Sequence, residues 1–434
     1  MLGIEGAAIG FGLLLVLLFL GLHIATALMA VAALGAWWFF GTTMFAPFGT
    51  MMWATLNNFL LLAIPLFVFM GEVLVRGGVT QRMYAAIADW LNPLPGGLLH
   101  TNIAASTIFA SISGSSVATA ATIGTVAFPT LREQKYKESW IAGTVASGST
   151  LGILIPPSIN LIIYGAITNT SIGKLFTAGI LPGLMLASLF MLTIILWCSF
   201  DHTIAGKRMG LAPWATRRAR LKHLVPPLFI FFMVMGSIYG GFATPTEAAA
   251  IGAVAALLLV GVQGGLNLTM LKDALLSTVQ TTAMTLLILI AAFYLNFVLG
   301  ILGVPGQVSQ FVSTFDVAPW VMMLILVALY MILGCFLDAL AMMIATIPIV
   351  LPIVTFLGYD PVWFGIFLVL MCELALITPP VGMNLYIVQS VRGRGSIDTV
   401  ILGVLPFLLC ILLMVALIAT FPGIVSWLPS LLHR

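Results

Sequence analysis

Charge is what this 434-residue sequence has least of: 7% of it is Asp, Glu, Lys or Arg, where soluble domains carry roughly 25%. That excludes an apolar-poor disordered chain. The net charge of +3 makes no basic surface for nucleic acid, because the lysines and arginines stand in short loops between apolar runs. Cysteine is nearly as scarce. Cys198, Cys335, Cys372 and Cys410 lie far apart, each within an apolar run, and read as small buried side chains rather than a disulfide framework or a metal set. The histidines form no ligand spacing either. Walker A, HExxH, GxSxG and CxxC patterns are missing, so no enzyme chemistry is assigned. Residues 1–5 carry Glu5 and no Lys or Arg, and thus lack the basic start of a cleavable signal peptide.

What is present is apolar: 62% of residues are hydrophobic and the mean hydropathy is +1.20. Runs near 20 residues, long enough to cross a bilayer as helices, recur along the whole chain. The most polar stretch, 201–223, holds Lys207, Arg208, Arg217, Arg218, Arg220 and Lys222, and reads as a cytoplasmic linker between two halves, 1–200 and 224–434. Sliding the sequence by 223 positions superposes Pro129 on Pro352, Trp140 on Trp363, Pro156 on Pro379 and Pro157 on Pro380. Internal repeats of this kind mark transporters.

Both halves parse in one order. The first has spans near 6–22, 24–40 and 51–75, an amphipathic connector 79–92, a segment 97–131, a broken span 136–170 and a last span 175–200. The second has 224–241, 246–263, 274–301, a connector 303–316, then 318–354, a broken span 360–391 and 398–424. Segments 97–131 and 318–354 are too long for one crossing and hold polar centres, Ser113-Gly114-Ser115-Ser116 and Asp338, so they read as re-entrant helical hairpins. The expected fold is an all-α membrane protein of two inverted repeats, with about ten transmembrane helices, two re-entrant hairpins and discontinuous helices. Five crossings per half, with the linker inside, put both termini in the periplasm. That arrangement leaves 14 of the 16 cations on the cytoplasmic side, as the positive-inside rule asks.

Transport of a polar solute needs polarity at membrane depth, tolerated only where protein or a water-filled cavity surrounds it. Four places offer it: the Ser111–Ser116 hairpin tip, Gly148–Pro157, Gly334–Asp338, and Ala375–Asn384 with Thr378-Pro379-Pro380. Prolines remove N–H donors and free carbonyls, which suit hard cations such as sodium. Helix N-termini suit a carboxylate. A structural kink explains one Pro-Pro, but two at repeat-related places, each paired with a polar hairpin, favour a binding site. Asp338 is costly in lipid and is expected to face protein, water or an ion. Glu247 belongs to a capping box in Thr244-Pro245-Thr246-Glu247, and Glu72 to an interfacial pair with Arg76. Glu373 stays open between an ion pathway and a helix–helix hydrogen bond.

Ser113–Ala121, Ala243–Ala248 and Ile377–Asn384 together resemble the large membrane subunit of tripartite ATP-independent periplasmic (TRAP) transporters, the DctM-like family, over essentially the full chain. The resemblance implies a sodium-driven, elevator-type importer in the bacterial inner membrane. Its substrate would be an organic acid of the sialic acid or C4-dicarboxylate kind, delivered by a periplasmic substrate-binding protein (P type). It also implies a small four-helix membrane subunit (Q type) as a separate chain. Carried over by motif, one Na+ would bind at Ser113, Gly114, Gly152, Ile155 and Pro157, and another at Gly334, Ala375, Thr378 and Val381. The substrate carboxylate would lie near Ser115, Ser116, Asp338 and Asn384. The competing reading is a stand-alone ion-coupled carboxylate carrier of a related two-hairpin fold, including a proton-coupled form with Asp338 and Glu373 as relay.

Overall fold

In the computed structural model, residues 2–206, 210, 212–313 and 318–432 are described, and among them every regular element is helical. The chain begins with α1 (Leu2–Phe19), α2 (Ile24–Phe40), α3 (Ala46–Leu56), α4 (Ala63–Arg76) and α5 (Val79–Leu91). The first hairpin is α6 (Leu98–Ser113) with α7 (Ser116–Glu133), and the first broken span is α8 (Glu138–Thr150) with α9 (Ile159–Thr168). Then come α10 (Ile172–Phe200), α11 (Trp214–Leu221), α12 (Val225–Tyr239), α13 (Pro245–Val262), α14 (Leu268–Ile301) and α15 (Val304–Ser313). The second hairpin is α16 (Pro319–Gly334) with α17 (Ala339–Phe356), and the second broken span is α18 (Pro361–Ile377) with α19 (Met383–Arg392). The chain closes with α20 (Asp398–Thr420) and α21 (Gly423–Leu432).

Among the described residues, eight helical stretches are long and apolar enough to cross a bilayer. Shorter apolar helices, among them α9, α16 and α18, come from the hairpin and broken segments, where a mid-depth break divides one apolar run in two. Most boundaries lie within a few residues of expectation. One span does not. The stretch 51–75 is two helices, because Asn57-Asn58 interrupts it and the Asn58 side chain accepts the Leu60 N–H at 3.0 Å to start a 3₁₀ turn. The linker contains α11, and α21 follows a stop at Phe421-Pro422 that was expected to be spanned. Lys207 and Arg208 of the linker and 314–316 of the second connector lie outside the described residues.

Local chemistry accounts for the breaks. Gly114 ends α6 in the left-handed region at φ +60°, and Ser115, extended, caps α7 through its hydroxyl. Asp338 caps α17, accepting the Ala341 N–H at 2.6 Å. The peptide bonds Pro156–Pro157 and Pro379–Pro380 are both cis. Thr244 and Glu247 form the expected capping box at the start of α13.

The first parts of the broken spans make the centre of the molecule. α18 is buried from Trp363 to Ile377, and α8 from Trp140 to Thr150. In lipid such packing relies on close backbone approach rather than on expelling water. α8 meets α20 at Gly143 and Gly403, where a Cβ on either would run into the other helix's backbone. Trp363 Nε1 donates to the Ile418 carbonyl of α20 at 3.1 Å, and Trp140 packs edge-on against Phe407 of α20.

Candidate substrate and ion site

The hairpin tips dock on the broken spans. A Cβ on Gly114 would lie 2.7 Å from the Pro157 carbonyl oxygen, and one on Gly152 would lie 2.9 Å from the Ser115 carbonyl. Ser113, Gly114, Ser115, Gly152 and Pro157 therefore share one place, and only glycine fits at the two contacts. Ser113 Oγ lies 3.1 Å from Thr119 Oγ1, which also donates to the Ser115 carbonyl at 2.7 Å. Ile155 belongs to the same turn, but its side chain packs on Gly183 of α10, which leaves only its backbone for an ion. In the second half, a Cβ on Gly334 would lie 2.7 Å from Ala375 Cβ, so that pair meets. Thr378 turns its hydroxyl back to the Leu374 carbonyl at 2.7 Å, and Val381 is exposed.

A cavity of about 410 Å³ lies between the two tips. Its wall includes Ser113 to Ala118, Asn160, Asp338 and Met383. Four helices thus begin on it: α7 at Ser116, α9 at Ile159, α17 at Ala339 and α19 at Met383. Helix N-termini present unpaired N–H groups and positive dipole ends, which favour an anion. Among the described residues, no Lys or Arg stands on the wall. Ser115, Ser116 and Asp338 line the cavity. Asn384 does not: it is fully buried behind it, with Nδ2 donating to Ser149 Oγ at 3.0 Å and to the Ala146 carbonyl at 3.3 Å.

Sequence reading missed several wall residues. Asn160 is 4% exposed and its Nδ2 has no hydrogen-bond partner among the described residues. It stands three residues after Pro157, so it was within reach of the motif. Thr281, Met284, Thr285 and Ile288 line the wall from one face of α14, at a helical spacing that was visible in the sequence. Glu72 also borders the cavity, held by Arg76 at 3.0 Å, and Arg76 reaches Ser277 Oγ at 2.8 Å.

On the basal side of the hairpins, Glu138 gathers three arginines. Arg132 reaches it at 2.6 Å, Arg392 at 2.9 Å and Arg394 at 2.6 Å, so the base of α7 is tied to the ends of α8 and α19. Partial burial raises the Glu138 carboxyl, but hydrogen bonds from Arg132, Arg394 and Arg392 outweigh it and hold the group at about 2.

Residues 11–424 match the family model described as tripartite ATP-independent periplasmic transporter, DctM component. The chain is 34% identical to the C4-dicarboxylate TRAP transporter large permease protein DctM of Pseudomonas aeruginosa, covering 87% of this chain and 88% of that one. It is equally 34% identical to the sialic acid TRAP transporter large permease protein SiaM of Vibrio cholerae, covering 87% of each. Among solved structures, the YdaH transporter of Alcanivorax borkumensis superposes with a TM-score of 0.60 at 16% identity over 89% of each chain, a likeness of fold alone.

Proposed function

Because the chain belongs to the DctM component family of tripartite ATP-independent periplasmic transporters, and is therefore a multi-pass large permease subunit rather than an enzyme, we propose that it imports an organic anion coupled to sodium. One observation carries the reading: four helix N-termini converge on a cavity whose wall has no cationic side chain. An anion seated there is held by dipole ends, hydroxyls and the Asn160 amide, and its remaining charge is balanced by cations that travel with it. The first sodium would lie among Ser113, Gly114, Gly152, Ile155 and Pro157, using carbonyls at the docked tip. The second would lie among Gly334, Ala375, Thr378 and Val381. Each sodium charge moving down a membrane potential contributes roughly 2.3 kcal/mol per 100 mV.

In this reading the two halves are inverted repeats in the bacterial inner membrane, with re-entrant hairpins and both termini periplasmic. The hairpins and broken spans move together as an elevator. A Q-type membrane subunit and a P-type binding protein complete the importer. Relatives equally similar to this chain are named for C4-dicarboxylates and for sialic acid, so similarity leaves the choice between those acids open.

The test is uptake into proteoliposomes holding the complete complex, with the binding protein added and sodium or pH gradients imposed separately. Uptake is expected only with sodium and the binding protein. Uptake driven by a pH gradient in sodium-free buffer overturns the coupling, and uptake without the binding protein overturns the delivery.

A further inference from the structure

Glu373 lies in α18, one turn before the helix breaks, and is fully buried. Among the described residues, neither carboxylate oxygen has a hydrogen-bond partner and no ion pair reaches it. The polar side chain that approaches it is Thr150, the last residue of α8. Thr150 stands 223 positions earlier, so the two are repeat mates facing each other across the centre of the protein. The Thr150 hydroxyl already has the Ser147 carbonyl as acceptor at 2.8 Å, so its single proton cannot also serve the carboxylate. One residue along α8, Ser149 holds the Asn384 amide at 3.0 Å, and the Asn384 Oδ1 is buried without a donor. Acceptors outnumber protons here, beside the C-terminal ends of α8 and α18, whose dipoles add negative potential. An unpaired charge in such surroundings costs several kcal/mol unless a counter-charge joins it.

We propose that Glu373, with Thr150 Oγ1, forms a third site for sodium, separate from the two at the hairpin tips. Oxygen donors of this kind suit a hard cation. The site rests on the sodium-coupled reading, and it adds one charge per cycle at the point where the two broken spans face each other. It also explains why an acid replaces a neutral hydroxyl at this repeat position: one half supplies the counter-charge for both.

The experiment is equilibrium binding of radioactive sodium to the purified membrane complex in detergent, counted per large subunit. Glu373→Gln, which keeps size and removes charge, is expected to bind one ion fewer than wild type. Thr150→Val is expected to raise the sodium concentration that fills one site about tenfold, a change of 1.4 kcal/mol. If Glu373→Gln is not recovered as monodisperse protein, Thr150→Val decides alone. Equal ion counts and affinities in wild type and both variants overturn the third site and leave the coupling intact. A Glu373→Gln protein with a full sodium count but a shifted pH profile of uptake overturns it in favour of a proton site. A wild type that binds no sodium overturns the coupling itself.

Discussion

The two hairpin-and-break units share their backbone devices and differ in their chemistry. Ser115 and Asp338, 223 positions apart, each cap the second hairpin helix, accepting the N–H of Ala118 and Ala341 respectively. Both units break their span at a cis Pro-Pro pair, and both open it with a tryptophan in the first turn. At two such positions the first unit has a neutral hydroxyl and the second an acid: Ser115 against Asp338, Thr150 against Glu373. In the sodium-coupled reading, interrupted helices are what an ion and anion site requires of the backbone, so those features recur. Net charge is then needed once, and one unit carries it.

The comparison breaks outright if the halves are not inverted. Lys137 and Asp360 are repeat mates, both exposed, at the starts of α8 and α18. Cysteines placed there, with Cys335 changed to Ser, are expected to react with an impermeant reagent from the cytoplasm and the periplasm respectively. Reaction of both from one side ends the inverted reading. The next largest effect is expected at the first tip. Gly114→Ala adds a Cβ 2.7 Å from the Pro157 oxygen at a φ of +60°. The left-handed conformation alone costs about 1–2 kcal/mol, so uptake should fall by about tenfold or more while membrane insertion persists. Leu337, its mate, is not in that region, and Leu337→Met is expected to transport normally. Equal tolerance at both positions would show that the tips dock differently from their geometry.

How much of this was legible depended on how local the cause is. The Thr244–Glu247 box, the hairpin tips and the two Pro-Pro breaks are written in adjacent residues, and the expected helix order follows from them. The break at Asn57-Asn58 was equally local but sat inside an apolar window that outweighed it. The positions of Asn160, Thr281 and Thr285 were visible in the sequence, but their role needed tertiary placement, because an Asn or Thr on an apolar helix is polar glue or cavity wall only according to what faces it. Asn384 shows the opposite error. It sits within the motif yet turns away from the cavity, onto the end of α8.

Charge and capping can be separated at the two caps. Asn caps a helix about as well as Asp, whereas Ser→Ala at a cap costs ~1 kcal/mol. Asp338→Asn is therefore expected to keep the melting temperature and to raise the sodium concentration for half-maximal uptake several-fold. Ser115→Ala should lower the melting temperature slightly and raise the substrate KM, with sodium dependence near wild type. Identical phenotypes would mean that both residues act only as caps. Asn160→Leu sharpens the contrast from the substrate side, since it fills the same space without an amide donor. Its expected effect is a higher substrate KM at unchanged sodium dependence, and an unchanged KM would take Asn160 out of the site.

The smallest effect is expected at the Glu138 clasp, which the second unit lacks, since Pro361 stands at the matching position. Glu138 has its carboxyl lowered from 4.5 to about 2 in the folded protein, so its three arginine contacts contribute fully above pH 4.5. Their contribution fades as pH falls from 4.5 towards 2, because the unfolded chain takes up the proton first. The group is partly exposed, and after discounting for solvent screening the expected contribution is only ~1 kcal/mol. Thermal unfolding of the detergent-solubilised protein should show Glu138→Gln less stable than wild type at pH 7, with the gap narrowing as pH falls below 4.5. A gap that stays constant with pH would mean that the clasp acts through packing of the Arg132 and Arg392 stems. A gap that widens on acidification would reverse the sign and remove the ion cluster as what ties α7 to α19.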